Sequence, residues 1–242
     1  MSARKTHAEP APRDGGFTPG TRNRLTRHDL ARFPGDTLFD RLGRVVCHVG
    51  RLPRKELYEA WEVARRVRRW CRGGRVIDVA GGHGLLAHMM LLLDASSAEA
   101  IVVDPAPALS GRALHQALAE EWPRLRDRVT VRAEDLQRVR LEPTDLVVSS
   151  HACGALTDRI LDAAVAVNAA VAALPCCHDL AQCDAGPLGG WLDGPMAVDA
   201  MRAMRLASHG YRVRTQTIPR AITPKNRLLI GTPAPGVSTE AL

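Results

Sequence analysis

The 242-residue chain lacks any apolar run near the ~20 residues that a membrane-spanning helix requires. Its best candidate, GLLAHMMLLLDA at 84–95, is short enough to be a buried helix. No membrane partner is therefore expected. The opening MSARKTHAEPAPRDGGFTPGTRNR has no apolar centre, which excludes a secretory signal, and Glu9, Asp14 and the prolines and glycines around them argue against an amphipathic import helix. A disordered basic tail over residues 1–30 of a cytoplasmic protein is the expectation. Six cysteines without an export signal do not make a disulfide framework, so reduced thiols are expected. Internal repeats are missing, and so is the paired CxxC spacing of a zinc ribbon.

What the chain does have is an uneven charge. Residues 1–76 hold 18 Lys and Arg against 8 Asp and Glu, whereas residues 77–242 hold 15 against 18. A basic front on a mildly acidic body suits an anionic partner, with RNA the first to consider, although the same bias also keeps an Arg-rich chain soluble. Within the front, RKELYEAWEVARRVRRWCR (54–72) spaces Leu57, Ala60, Trp61, Ala64, Val67 and Cys71 as one helical stripe. Its glutamates come early and its arginines, Arg65 to Arg72, come late, which complements the helix dipole and equally provides a grip for phosphates. A shorter helix is expected within 36–53, ending at Pro53.

From residue 75 strands and helices alternate. RVIDVAGG, AEAIVVDPA, VTVRAEDL, DLVVSSH and AVAALPCC are five expected strands with helices among them, the last being followed by a helical stretch over about 188–209. YRVRTQTI and RLLIGT stand too close for a helical crossover and should pair antiparallel. The pattern predicts an α/β fold: a doubly wound, Rossmann-like, seven-stranded sheet closed by an antiparallel hairpin and preceded by an N-terminal helical segment. The expected divisions are a tail at 1–30, a helical segment at 31–74, a cofactor-binding domain at 75–234 and a tail at 235–242.

In VIDVAGGHG, Asp78 ends a strand and Ala80, Gly81, Gly82 and Gly84 supply small residues where backbone must turn and approach a ligand at a helix N-terminus. Asp104 closes the second strand, where a carboxylate accepts both hydroxyls of a ribose. Glu134 and Asp135 follow the third strand, near the place of an adenine amino group. This succession of acids matches S-adenosylmethionine (SAM). The same glycines fit the G-x-G-x-x-A of a dinucleotide site; Asp78, the acids after strand three and the closing hairpin favour SAM.

HACGALTD (151–158) and PCCHD (175–179) follow strands four and five, at the carboxyl edge where such sheets bind ligands. Several chemistries suit them. His151, Cys153, Cys176 or Cys177, His178 and Cys183 offer metal ligands; Cys153 and Cys176 offer nucleophiles. His151, His178 or Asp158 offer a base for a proton leaving an attacking oxygen or nitrogen. Equally, the cysteines pack as small hydrophobes and the histidines cap turns. A base without a metal is the expectation carried forward. The loop PRAITPKN (219–226) adds Arg220, Lys225 and Asn226 on the same side.

These two turns, in this order, resemble a branch of the class I SAM-dependent methyltransferases that includes eukaryotic tRNA 2'-O-methyltransferases and the methyltransferase domain of glutathione S-transferase C-terminal domain-containing protein. His151, Cys153, Gly154, Thr157 and Asp158 match its first motif and Cys176, Cys177 and His178 its second. LPRKELYEAWE is similar to the Lys-Glu helix that precedes the SAM loop in such proteins. The resemblance spans about residues 52–231 and implies methyl transfer from SAM. Ser150 stands where the tRNA enzymes have lysine, and Leu156 replaces a small residue.

Overall fold

The computed structural model describes residues 17–234. Two helices lead the chain. Helix α1, Leu38–Val49, starts where the Thr37 hydroxyl accepts the Asp40 N–H (3.1 Å) and ends at Gly50 in the left-handed region. Helix α2, Arg54–Val67, begins directly after Pro53. Then follow β1 (Val76–Val79), α3 (Leu85–Leu93), β2 (Ala100–Val103), α4 (Gly111–Glu121), β3 (Val129–Arg132), β4 (Leu146–Ser149), α5 (Ala155–Ala166), β5 (Ala170–Ala173), α6 (Gly194–Ser208), β6 (Tyr211–Thr217) and β7 (Arg227–Pro233).

The seven strands form one sheet in the order β3-β2-β1-β4-β5-β7-β6. The first five pair in parallel, and β7 runs antiparallel to both β5 and β6. The central strands VIDV, AIVV and LVVS are buried along their whole length because helices cover both faces. Alternate residues serve the two layers. Val76, Val102 and Val148 pack with α1 to α4, whereas Ile77, Ile101 and Val147 pack with α5 and α6. Strand β3 lies at the edge and is largely exposed, so its sequence carries less apolar signal. No helix among the described residues is long and apolar enough to cross a membrane.

Three expectations need correction. The expected tail over 1–30 falls partly outside the described residues, but 17–30 are packed onto the fold. The Leu25 N–H donates to Leu52 O (2.9 Å), Arg24 bridges Pro53, and Leu25 is fully buried, which contributes about 2 kcal/mol. The helix expected to reach residue 72 stops at Val67, because Arg68 turns inward. It is 3% exposed, donates from Nε to Met90 O (3.1 Å) and from Nη2 to Ser97 Oγ (2.7 Å), and pairs with Asp94 (3.1 Å). Arg65 and Arg66 both pair with Glu62. Much of the arginine cluster thus stabilises the helix and its packing instead of presenting free cations. Finally, α6 starts only at Gly194, after a 3-10 turn at Gly186–Gly190 and an Asp193 cap on the Met196 N–H.

Candidate active site

The turn from β1 to α3 reverses the chain within five residues. Ala80, Gly82 and Gly84 all have positive φ (55°, 51° and 75°), which is why residues without bulk stand there. The glycines differ in what surrounds them. A Cβ on Gly81 would lie 2.8 Å from both Asp78 and Val102, and one on Gly84 2.9 Å from Val102. A Cβ on Gly82 would meet no atom within 4 Å among the described residues. Gly82 therefore keeps a space open, while Gly81 and Gly84 allow close packing.

Carboxylates brace this loop. Asp104, at the end of β2, accepts the Gly82 N–H on Oδ2 (3.0 Å) and the Ala106 N–H on Oδ1 (2.9 Å), and each oxygen retains a lone pair. Asp78 is buried beneath the loop, with its pKa pushed up to about 7 by burial. Its Oδ2 accepts the Ala87 N–H (3.1 Å), and Oδ1 has no partner among the described residues. His88 is also buried, and burial holds its pKa down at about 4. The neutral ring donates from Nδ1 to Gly84 O (2.6 Å), pinning the loop from below.

A cavity of about 240 Å³ opens in front of the loop, lined by Ala80, Gly81, Gly82, His83, Ser150, His151 and the α2 residues Glu56 and Ala60. Burial, then the positive neighbours Lys55 and His83, holds the pKa of His151 below its usual value. Glu56 moves the other way: burial and the nearby Glu59 push it up to about 7. His83 Nε2 lies 3.7 Å from Glu56 Oε2, and its Nδ1 is 2.9 Å from Ser110 Oγ. Glu56 and His83 are site residues that the sequence did not single out. The signal for Glu56 was the Lys-Glu helix before the loop, read for its stripe and its dipole; His83 stood inside VIDVAGGHG, which was read for its small residues.

Other expected residues go elsewhere. Asp135 caps a 3-10 turn by accepting the Gln137 N–H and is clamped by Arg159 (2.7 and 3.0 Å); these two contacts hold its pKa below the usual carboxylate range. Glu134 faces Arg132 at 3.5 Å. Neither lines the cavity. Asn226 is used within its hairpin, donating to Ile218 O (2.8 Å). The base candidates His178 and Asp158 have structural partners. The His178 Nε2–H donates to Asp199 Oδ1 (2.7 Å), and Arg202 holds Asp158 through Nε (2.9 Å) and Nη2 (2.6 Å).

The two motifs meet directly. Cys153 and Cys177 form a parallel bridge, and the Gly154 N–H donates to Cys177 O (3.0 Å). Gly154 sits at φ 56°, ψ −133°, which a side chain resists. Thr157 Oγ1 donates to Ala152 O (2.9 Å), closing the first turn of α5. The motif residues thus extend the β4–β5 pairing into the rim of the site.

SAM fits this arrangement. Gly82 leaves room at the loop, Asp104 offers free lone pairs at the end of β2, and the buried Asp78 Oδ1 is unmatched. The antiparallel β7 between β5 and β6 also departs from the 3-2-1-4-5-6 order of dinucleotide-binding sheets. Residues 55–184 match the family described as "Methyltransferase domain". No curated protein matches the chain. Among solved structures, an O-methyltransferase family protein from Burkholderia thailandensis aligns with a TM-score of 0.51 and 18% identity, over 88% of this chain and 64% of that one. The tRNA methyltransferase TrmK of B. subtilis aligns with a TM-score of 0.49 and 15% identity, over 72% of this chain and 66% of that one. The chain thus spans just under two thirds of the length of either.

Fold and loop together have the arrangement of the class I methyltransferases. The chain belongs to the methyltransferase domain family.

Two glycine substitutions separate the cofactor space from the packing. Gly82→Ala is expected to cost only about 1–2 kcal/mol of stability, from its positive φ, yet to weaken S-adenosylhomocysteine binding at least about tenfold by placing a methyl in the cavity. Gly81→Ala is expected to lower the melting temperature more, since its Cβ strikes Asp78 and Val102. Thermal melts and calorimetric titration on both variants check the contrast.

Proposed function

We propose that this methyltransferase modifies RNA, at a ribose or base atom, with His151 as the general base. Support comes from a groove of about 830 Å³ that shares Glu56 and His83 with the cofactor cavity. Arg24 and Arg51 line it, both exposed, beside Leu109 at 99% exposure and Ser110. Guanidinium groups next to the point of methyl transfer suit a phosphate backbone. The basic contact surface in this proposal is therefore the groove formed by the packed N-terminal segment, in place of the arginines of α2.

In this proposal Gly82 and Gly84 border the methionine end, Asp78 and Glu56 balance its cationic groups, and Asp104 takes the ribose hydroxyls. Bound SAM supplies an electrophilic methyl on a sulfonium. His151 lines the same cavity, and its lowered pKa leaves it neutral at pH 7 with a lone pair for the acceptor's proton. Asp158 and His178 hold the rim in place, and Asp135 orders the turn after β3. The motif resemblance to tRNA 2'-O-methyltransferases makes a ribose hydroxyl the first acceptor to try. A cytoplasmic setting goes with free thiols at all six cysteines.

The test is methyl-labelled SAM incubated with total RNA, tRNA, protein and small-metabolite fractions. Label is expected in RNA, falling steeply with salt and with Arg24→Glu or Arg51→Glu. His151→Asn should lower kcat by about 10²–10⁴-fold, a far larger effect than any change in S-adenosylhomocysteine affinity from its place in the cavity lining. At saturating SAM, kcat of the wild type should decline on acidification through a pKa below the ~6.5 of a free histidine, because the base works unprotonated and its pKa is lowered. Protonation of Asp78 and Glu56, both pushed up to about 7, should instead weaken SAM binding.

Small-molecule methylation is the second reading. It rests on a cavity of about 550 Å³ at the same rim, lined by Pro175, Met196, Ala200, Ala203, Leu228 and Leu229 among others. Label confined to small metabolites and insensitive to salt would replace the RNA proposal with this one.

A further inference from the structure

The two motif turns bring three cysteines together. Cys153, from the turn after β4, and Cys176 and Cys177, from the turn after β5, place their sulfur atoms all within 4.8 Å of one another. Cys153 Sγ and Cys176 Sγ are 2.7 Å apart. Cys153 and Cys177 are exposed and Cys176 is half-buried, so the group is open to solvent on one side. Among the described residues no fourth histidine, cysteine or carboxylate joins it. His178, adjacent in sequence, is held on Asp199, and Cys183 is buried against Arg202 Nη2 (3.5 Å).

We propose that Cys153, Cys176 and Cys177 form a three-thiolate site for a thiophilic divalent cation, Zn²⁺, with a fourth coordination position open at the rim of the active site. Tetrahedral zinc with Zn–S bonds near 2.3 Å spaces its sulfurs about 3.8 Å apart. The observed spread brackets that spacing, so small side-chain rotations complete the site without moving backbone. The backbone is already fixed by the Cys153–Cys177 bridge and by the Gly154 N–H on Cys177 O. Charge is also provided for. Zn²⁺ with three thiolates carries a net −1, and the Lys225 ammonium stands 3.7 Å from Cys177 Sγ. Three protein ligands with one free position is the arrangement of zinc sites that bind an exchangeable ligand, in contrast to the four-ligand structural sites. The paired CxxC spacing that zinc ribbons show is unnecessary here, because the parallel pairing of β4 and β5 joins ligands 23 residues apart.

The site is tested on the full, reduced chain, without SAM, by Zn²⁺ loading, dialysis and elemental analysis. One equivalent of Zn²⁺ per chain is expected for the wild type. Cys153→Ser, Cys176→Ser and Cys177→Ser should each weaken retention at least about tenfold, and Cys183→Ala should retain the metal. Co²⁺ in place of Zn²⁺ should give thiolate charge-transfer absorption that is lost in the triple serine variant and shifts when imidazole is added. A folded, reduced wild type that holds no Zn²⁺ would overturn the site, as would equal retention by the triple serine variant. A Co²⁺ spectrum indifferent to imidazole would overturn the open position. None of these readings depends on the methyl acceptor, so the site stands or falls separately from the RNA proposal.

Discussion

Asp104→Ala is expected to reduce S-adenosylhomocysteine affinity about 10²–10³-fold while the chain stays folded. The carboxylate does two things at once. It ties the Gly82 N–H and the Ala106 N–H to the end of β2, and it keeps lone pairs free beside the loop. Hydrogen bonds to a charged acceptor contribute about 1.5–3 kcal/mol each, and two ribose hydroxyls make about 3–4 kcal/mol of lost affinity a reasonable scale. The structural loss is smaller, because both backbone donors lie near solvent and can find water. Asp104→Asn should fall between, since an amide oxygen still accepts but its NH₂ cannot. Calorimetric titration of the three proteins checks the order, with thermal melts as the control for folding. An alanine variant that binds like the wild type would remove the ribose role. NADH, titrated in parallel, should give no response in any of them.

The sheet and the glycine loop were readable because their signals are local. VIDV, AIVV, LVVS and AVAA are short apolar runs punctuated by glycine, proline and aspartate, and the closing strands were too close to cross over. The site was readable as far as backbone dictates it: Gly82 and Gly84 need positive φ, and Asp104 stands at a strand end. Partnerships across distance were not. Leu25 stands in a charged stretch, and it is pairing across distance, with Leu52 and between Arg24 and Pro53, that makes residues 17–30 part of the fold. The arginines at 65–72 looked like a phosphate grip because composition cannot show Asp94 waiting for Arg68. Glu56 became a cavity residue through the packing of α2 on α3, which no spacing within α2 reveals. Conversely, the histidine–cysteine motifs were correctly placed on one rim. Which of their members carry chemistry depends on partners, and Asp158 found Arg202 some 44 residues away.

Arg202→Met should be among the most destabilising single substitutions in the chain. Arg202 is 2% exposed, yet its guanidinium is fully engaged. It holds the Asp158 carboxylate through two nitrogens, donates to Gly154 O (3.0 Å), and reaches Asp199 Oδ1 (3.3 Å). Asp199 in turn accepts from His178 and, on Oδ2, from Arg227 Nε (2.6 Å). One side chain on α6 therefore joins the start of α5, both motif turns and the beginning of β7. Methionine fills the volume but leaves the half-buried Asp158 without its counter-charge and Gly154 O without its donor, while Asp199 keeps only Arg227 and His178. Removing one partner of a buried pair costs about 3–5 kcal/mol, which for a chain of this size lowers the melting temperature by roughly 6–20 °C. Arg202→Lys should recover little, because an ammonium cannot span the carboxylate and the Gly154 carbonyl together. Asp158→Asn should cost less than Arg202→Met, since it keeps one acceptor and removes a charge. Thermal and urea melts rank the three variants. A methionine variant as stable as the wild type would mean that the motif turns hold their shape without the network. Asp158 and His178 would then return as candidates for the chemistry itself.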